Sequence, residues 1–164
     1  MDLRIEPMTP DDWPEVRAIY EEGMATGLGT FETTVPSWEQ WTAARLPHSR
    51  LVARDAAVVG WAALSAVSSR PCYAGVAEVG IYVAEAARGR GVGRALLNAL
   101  VESSERHGIW TLQGVTIADN AASIALQQRC GFRIVGRRER IGRRDGVWRD
   151  TVLTERRSPT IDLE

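Results

Sequence analysis

A strand-like segment followed by a run of arginines and glycines holds the residue types in this sequence that are best suited to chemistry. The segment Val76–Val83 is mostly apolar, and a glutamate inside such a strand, Glu78, is unusual. The sequence then reads Arg-Gly-Arg-Gly-Val-Gly-Arg from Arg88 to Arg94. A carboxylate can act as a general base, and a glycine-rich turn at the start of a helix can bind phosphate. These residues together predict a site that binds a phosphate-containing ligand and accepts a proton.

The charge at the start of the predicted helix supports the phosphate interpretation. Three arginines, Arg88, Arg90 and Arg94, stand at the end of the helix where its dipole disfavours positive charge, unless a bound anion lies between them. Glycine spacing alone fits a solvated helix end equally well. The glycines lack the spacing and position of a dinucleotide-binding fold, and the absence of lysine excludes a P-loop.

The strand periodicity supports the proton-accepting role independently. Side chains alternate along a strand, so Glu78, Gly80 and Tyr82 share one face. Gly80 has no side chain and leaves room for a substrate beside the carboxylate. The alternative is an edge-strand glutamate that points into solvent.

The rest of the sequence has the composition of one globular domain. It has 164 residues, of which 45% are hydrophobic and 25% are charged, values typical of such domains. No apolar run approaches the roughly 20 residues of a membrane span, and we expect no signal peptide because the N-terminal segment turns acidic by Glu6. The net charge of −1 does not indicate a nucleic-acid partner. We expect a single domain over 1–157 and a flexible tail over 158–164, whose last two residues could be vector-derived.

Cysteine and histidine usage argues against a metal site. The two cysteines, Cys72 and Cys130, and the two histidines, His48 and His107, do not stand at metal-ligand spacing. Two widely separated cysteines are typical of free thiols in a cytoplasmic protein. We therefore expect no metal, no membrane association and a cytoplasmic location.

The elements that must position these residues follow from hydrophobic periodicity, capping residues and turn residues. Gly23 is expected to end the first helix, and Ser37 and Gln40 form a predicted capping box. Strands alternate with helices only in the second half, which predicts a mixed sheet with one parallel crossover. The predicted strands are 3–6, 51–54, 58–65, 76–83, 110–117, 132–141 and 147–154, and the predicted helices are 10–22, 38–45, 91–107 and 120–129.

The spacing Arg88-x-x-Gly91-x-Gly93 after an apolar strand resembles the acetyl-CoA signature of the GNAT N-acetyltransferases, R/Q-x-x-G-x-G/A. Further blocks resemble the phosphinothricin/L-amino acid (methionine sulfoximine) acetyltransferase branch, and the resemblance covers roughly 3–155. It implies an α/β fold with a mixed central sheet of about six or seven strands flanked by about four helices. The further blocks are Thr30-Phe-Glu-Thr33, Arg70-Pro-Cys-Tyr73, Asp119-Asn-Ala-Ala-Ser-Ile124, Cys130-Gly-Phe132 and Gly146-Val-Trp-Arg-Asp150.

The resemblance also implies roles for individual residues, with acetyl-CoA as co-substrate. Glu78 matches the family's general base. The pyrophosphate is expected on the backbone of the arginine–glycine turn, the pantetheine along the preceding strand, and a backbone N–H near Val83 at the developing oxyanion. The residues expected to bind acetyl-CoA are Ile81, Val83, Arg88, Gly89, Arg90, Gly91, Val92, Gly93, Arg94, Asn120 and Ser123.

One position departs from the family pattern. Where many members carry tyrosine, and this branch often histidine, the sequence has Gln127, which cannot act as a general acid. A thiol with a reference pKa of about 8.5 is a fair leaving group without one. Tyr82 or a water molecule could instead protonate the thiolate.

Four residues on two predicted loops are candidates for the acceptor site. The candidates are Phe31, Glu32, Arg70 and Tyr73. Among them, Arg70 would bind a carboxylate in bidentate fashion. This favours a small amino acid or analogue as the acceptor amine. The alternatives for the residues are that Arg70 is an ordinary surface residue and Phe31 a core residue.

Other functions stay open at this point. The acceptor could be a protein N-terminus or a polyamine, or the chain could be a CoA-binding regulatory module without turnover. An arginine-rich segment from Arg133 to Arg144 could bind RNA, although a solvated hairpin or a dimer contact fits its alternating pattern better. The family resemblance implies a homodimer.

Overall fold

The structure, a computed structural model that describes residues 1–161, contains one seven-stranded mixed sheet. The strands lie in the order β1-β2-β3-β4-β5-β7-β6. Only β4 and β5 are parallel neighbours, so the predicted mixed sheet with a parallel crossover is confirmed. The strands are β1 (Arg4–Pro7), β2 (Leu51–Asp55), β3 (Ala57–Ala66), β4 (Val76–Val83), β5 (Thr111–Ile117), β6 (Arg133–Arg144) and β7 (Val147–Arg157).

Four α-helices flank the sheet, and the local sequence explains their starts. Ser37 caps α2 through its hydroxyl, which accepts from Gln40 N at 3.1 Å, while Gln40 Oε1 accepts from Ser37 N at 3.0 Å. The predicted capping box is confirmed. The helices are α1 (Trp13–Ala25), α2 (Trp38–Ala44), α3 (Val92–Arg106) and α4 (Ala121–Arg129).

The predicted end of the first helix at Gly23 is wrong, because α1 continues to Ala25. A Cβ atom on Gly23 would lie 2.6 Å from Cδ1 of Tyr82. The glycine is therefore a close-packing position within the helix rather than its stop. The helix instead ends before Gly27, which has a φ of +73°.

The hairpin of β6 and β7 is longer than the sequence indicates. Its turn consists of Asp145 and Gly146, both with positive φ, as the common two-residue hairpin turn requires. Ion pairs between Arg133 and Glu155 and between Arg137 and Asp150 join the two strands. These cross-strand pairs are invisible in a strand-by-strand reading of the sequence.

Each face of the sheet carries its own core. Side chains of α3, including Leu96 and Leu100, pack on one face. On the other face, Trp41 of α2 and Trp61 of β3 are buried in one cluster with side chains of α1. The core formed with α3 and the core formed with α1 and α2 therefore lie on opposite faces of the sheet.

The segment after β7 differs from the predicted free tail. Ser158 is buried, and its N–H donates to the carbonyl of Trp110 at 2.8 Å. Its hydroxyl donates to Glu105 at 2.9 Å, so the chain is held against the sheet and α3 at this point. Residues 162–164, which include the candidate vector-derived positions, lie outside the described residues. Within 1–161, no helix is long and apolar enough to cross a membrane.

Candidate active site

The central strands β4 and β5 separate halfway along their length. They pair only from Val76 to Glu78 on β4 and from Thr111 to Gln113 on β5. Beyond that point each strand keeps only its neighbour on the other side, which is β3 for β4 and β7 for β5. The result is a cleft between Val79–Val83 and the second half of β5, with backbone groups of β4 facing it.

Glu78 lies where this cleft begins. It is the last β4 residue paired with β5, and Gln113 Nε2 donates to its Oε1 at 2.9 Å. The side chain is half-buried, so the carboxylate is oriented by a fixed donor yet accessible. Gly80, on the same face, has only the Ala63 carbonyl within 4 Å of an added Cβ, at 3.8 Å. The strand therefore leaves open space next to a positioned carboxylate.

Tyr82 lies toward the other end of β4, on the same face as Glu78 and Gly80. Its ring lies 4.8 Å from the ring centroids of both Tyr20 and Trp61, and its hydroxyl donates to the carbonyl of Gly29 at 3.3 Å. Burial is the main reason why the pKa of this phenol is raised above its usual value. These contacts favour a structural role for the hydroxyl over proton donation, because a raised pKa makes it a weaker acid.

The connection from β4 to α3 has the geometry of an anion site. Gly89 and Gly91 have φ values of +74° and +82°, and an added Cβ on either would meet nothing within 4 Å, so the turn is open to a ligand. Gly91 is the N-cap of α3. The first N–H groups of a helix have no acceptor within it and attract anions. The three arginines of this turn, Arg88, Arg90 and Arg94, are exposed around it.

Other residues predicted to bind acetyl-CoA occupy supporting positions. The Val92 side chain is buried in the core beneath α3, so only its backbone can face a ligand at the turn. Ile81 and Val83 are half-buried toward α3. Asn120 caps α4, accepting from Ser123 N and donating to the carbonyl of Leu28, both at 3.3 Å.

The four predicted acceptor residues lie on two different connections. Phe31 is half-buried and Glu32 is exposed, both on the loop of residues 26–37 between α1 and α2, which we call the α1–α2 loop. Arg70 and Tyr73 are exposed on the β3–β4 connection, where the guanidinium lies 5.6 Å from the tyrosine ring centroid.

Gln127 lies in the α4–sheet core rather than free in the cleft. Its amide nitrogen donates to Thr116 Oγ1 at 2.8 Å and to Ser123 Oγ at 3.2 Å, and its carbonyl accepts from Thr154 Oγ1. The side chain is 5% exposed. An amide with these three partners is a structural connection between α4, β5 and β7.

Sequence reasoning missed two residues at this site. Gln113, the partner of Glu78, carries the same signal as Glu78, a polar residue within a strand, but the parallel register that joins them is not readable from sequence. Arg144 was hidden within the arginine run, although it donates to the Thr30 carbonyl of the α1–α2 loop. Among residues 1–161, no group of three or more metal-ligating side chains is present.

Comparison with known proteins agrees with this geometry. The sequence model of the Acetyltransferase (GNAT) family matches residues 13–132. A phosphinothricin N-acetyltransferase of Alcaligenes faecalis is 36% identical over 156 residues, covering 89% of this chain and 78% of the relative. An L-methionine sulfoximine/L-methionine sulfone acetyltransferase of Pseudomonas aeruginosa is 33% identical over 151 residues, covering 88% of each chain.

A solved structure extends the similarity to the whole fold. The crystal structure of a GNAT superfamily phosphinothricin acetyltransferase from Sinorhizobium meliloti, in complex with AcCoA, superposes with a TM-score of 0.91 at 29% identity. It covers 100% of this chain, and this chain covers 92% of it. The predicted family and fold are confirmed. The chain belongs to the GNAT family of acetyltransferases.

Proposed function

We propose that the chain transfers an acetyl group from acetyl-CoA to the primary amine of a small amino acid or amino acid analogue. The observation that carries this proposal is the cleft between β4 and β5, which begins at Glu78 and leads along β4 to the anion-binding turn before α3. A base and a phosphate site therefore stand at opposite ends of one strand. The relatives named for phosphinothricin and methionine sulfoximine support the amino acid class.

The residues present fit acetyl-CoA. The open turn at Gly89 and Gly91, with N–H groups at the start of α3, suits a pyrophosphate. The β4 edge that faces the cleft offers backbone groups to an extended amide-containing arm, as an added strand would use them. When bound, acetyl-CoA supplies an acyl group activated as a thioester.

Glu78 is the proposed general base. A primary amine arrives as an ammonium ion, and it becomes a nucleophile only after it loses a proton. Gln113 fixes the orientation of the carboxylate, and the open space beside Gly80 allows an amine or one intervening water within reach. A base positioned in this way contributes about 10²–10⁴-fold to the rate. A backbone N–H of β4 near Val83 is the proposed donor to the developing oxyanion.

The proposal assigns protonation of the departing thiolate to water rather than to Tyr82 or Gln127. The chain need not supply a strong acid, because the reference pKa of a thiol is about 8.5. The raised pKa of the Tyr82 hydroxyl makes it a poor donor to such a thiolate. Gln127 has no acidic proton to give.

For the acceptor, we propose that Arg70 pairs with the carboxylate of the amino acid. The side chain is exposed beside the start of β4 and rests on the ring of Tyr73, which limits its freedom. Phe31 and Glu32 of the α1–α2 loop complete the acceptor site in this proposal, with the apolar ring against the substrate side chain.

The experiment is a thiol-release assay with acetyl-CoA and matched amines. The panel contains phosphinothricin, methionine sulfoximine, their decarboxylated counterparts, a polyamine and a short peptide with a free N-terminus. We expect turnover on the carboxylate-bearing amines and at least a tenfold loss of kcat/KM on removal of the carboxylate or in Arg70→Gln. Turnover confined to the polyamine or the peptide would overturn the acceptor class. Acetyl-CoA binding without turnover on any amine would favour a regulatory module.

We also propose that two copies of the chain associate through the β6–β7 hairpin in the cytoplasm. The two free cysteines suit that reducing compartment. Large apolar side chains that are 42–55% exposed stand along the hairpin, and exposed apolar surface of this kind is typical of an interface. Sedimentation velocity should show a dimer that Trp148→Glu dissociates, whereas a monomeric native chain would contradict the proposal. The apolar residues are Ile134, Val135, Ile141, Val147 and Trp148.

A further inference from the structure

The α1–α2 loop crosses the cleft without regular secondary structure. Its Gly29 carbonyl accepts from Tyr82 on β4, and its Leu28 carbonyl accepts from Asn120 at the start of α4, both at 3.3 Å. Leu28 and Gly29 therefore link β4 to the start of α4 on the face of β4 that carries Glu78. A loop of this kind keeps its position only through contacts with neighbouring elements.

Two hydrogen bonds to this loop and to the end of α1 come from the β6–β7 hairpin. Arg144 donates from one terminal nitrogen to the carbonyl of Thr30 at 2.8 Å and from the other to the carbonyl of Met24 at 2.6 Å. Its side chain is only 13% exposed. Both acceptors are carbonyl groups, so the fork-shaped guanidinium bridges two points of the backbone that a lysine could not span together.

The contact to Met24 also stabilises the end of α1. The last turn of a helix leaves carbonyl groups without partners and carries a partial negative charge. The last turn of α1 has no basic residue of its own, so Arg144 provides the positive charge from another strand. Arg144 thus holds the last turn of α1 at Met24 and the α1–α2 loop at Thr30.

A second hairpin residue contacts the next position of the loop. A Cβ atom on Gly142 would lie 2.6 Å from Cζ of Phe31, so the ring lies directly on the glycine backbone. Gly142 and Arg144 alternate with the exposed Arg143, and they contact successive loop residues, Phe31 and Thr30. The tip of the hairpin therefore contacts this part of the loop through both a hydrogen bond and close packing.

We propose that Arg144 and Gly142 are positioning residues for acceptor binding, setting where the α1–α2 loop lies against the face of β4 that carries Glu78 and Tyr82. The inference rests on the proposed function, because it assigns the acceptor site to the cleft beneath this loop. Neither residue touches the reacting atoms; both act through Thr30 and Phe31. Acceptor recognition is then determined partly by a hairpin that lies beyond β5 in the sheet.

The test compares Arg144→Met with Arg143→Met, whose exposed neighbouring arginine lies over Trp148. Hydrogen–deuterium exchange of segment 26–34 is measured first, on the full chain. We expect at least tenfold faster exchange in Arg144→Met and no change in Arg143→Met. Unchanged exchange in Arg144→Met would overturn the support itself, and this result does not depend on any enzyme activity.

Kinetics then test the link to the acceptor. In Arg144→Met the KM for the acceptor amine should rise at least tenfold, while the Kd for acetyl-CoA stays within twofold. Arg144→Lys should recover part of the loss by keeping one hydrogen bond, and Gly142→Ala should raise the same KM by displacing Phe31. Faster exchange with an unchanged acceptor KM would overturn the positioning role. If the native chain acetylates no amine, the proposed function fails, and the exchange experiment still decides whether Arg144 fixes the loop.

Discussion

Replacement of Gln127 by methionine separates a structural role from a catalytic one at the position where the family pattern is broken. Methionine keeps the length and approximate volume of the side chain but removes the amide. Thr116 then loses the donor at 2.8 Å, and Thr154 loses its acceptor. Both threonines are buried, so water cannot easily replace the amide.

The structure sets the size of the expected loss. A buried polar group left without a partner costs about 1–3 kcal/mol. Thr154 can turn its hydroxyl toward the Gly114 carbonyl at 3.5 Å, which offsets part of its cost. We therefore expect the free energy of unfolding to fall by about 2 kcal/mol, which lowers Tm by about 6 °C in a chain of this size.

The assay combines urea unfolding, followed by tryptophan fluorescence, with steady-state kinetics well below Tm. The kcat of Gln127→Met should stay within about threefold of the native value, because Glu78 and the anion-binding turn are unchanged. Gln128→Met is the matched control: its side chain is exposed on the same helix, and its stability should change by less than about 0.5 kcal/mol. A kcat reduced about 100-fold with unchanged stability would refute the reasoning, since that is the signature of a group in proton transfer.

Three further predictions concern other parts of the structure. Gly80→Ala has room for its methyl group, so stability should be unchanged or rise by about 0.5 kcal/mol while kcat/KM falls at least tenfold; unchanged activity would show that the space is not used. Arg54→Met removes ion pairs to Asp12 at 2.7 Å and to Glu6 at 2.9 Å. Chemical denaturation should show that the free energy of unfolding falls by about 3 kcal/mol. The control Arg17→Met, whose ion pair with Glu21 is exposed, should lose less than about 0.5 kcal/mol. Burial, and then the neighbouring His107 and Arg50, lower the pKa of His48 in the folded protein. The folded protein therefore binds fewer protons at this residue than the unfolded chain. The contribution of neutral His48 to stability is complete above the unfolded pKa of about 6.5 and is lost as pH falls below it. His48→Asn should make the pH dependence of unfolding shallower between pH 7.5 and 5, and an identical pH dependence would contradict this.

The fold was predictable where local signals act within a few residues. The mostly apolar run from Val76 to Val83 predicted β4 with the bounds that are observed, and the capping box predicted the start of α2. The predicted helix end at Gly23 was wrong because glycine occurs both at helix ends and at close-packing positions. The contact that distinguishes the two uses is with the ring of Tyr82, which is distant in sequence. The extent of the β6–β7 hairpin depends on cross-strand ion pairs that need the register first.

The candidate site divides in the same way. Glu78 and the turn from Arg88 to Arg94 are close in sequence, so residue type and spacing were enough to predict a base and an anion site there. Gln113 and Arg144 act across 35 and 114 residues of chain, on Glu78 and Thr30 respectively. No periodicity within one element predicts such contacts. The side-chain partners of Tyr82 and Gln127 likewise come from separate elements, so only the structure shows how each side chain is surrounded.

The most direct test of the central claim is the kcat of Glu78→Gln with the preferred amine, measured together with the Kd for acetyl-CoA. Glutamine keeps the carbonyl that accepts from Gln113, so the site geometry is preserved while the base is removed. We predict that kcat falls about 10²–10⁴-fold with Kd unchanged within twofold, and that the deficit narrows as pH rises toward the pKa of the amine, because free amine then forms without the enzyme. A kcat within threefold of the native value at pH 7 would contradict the assignment of Glu78 as the general base.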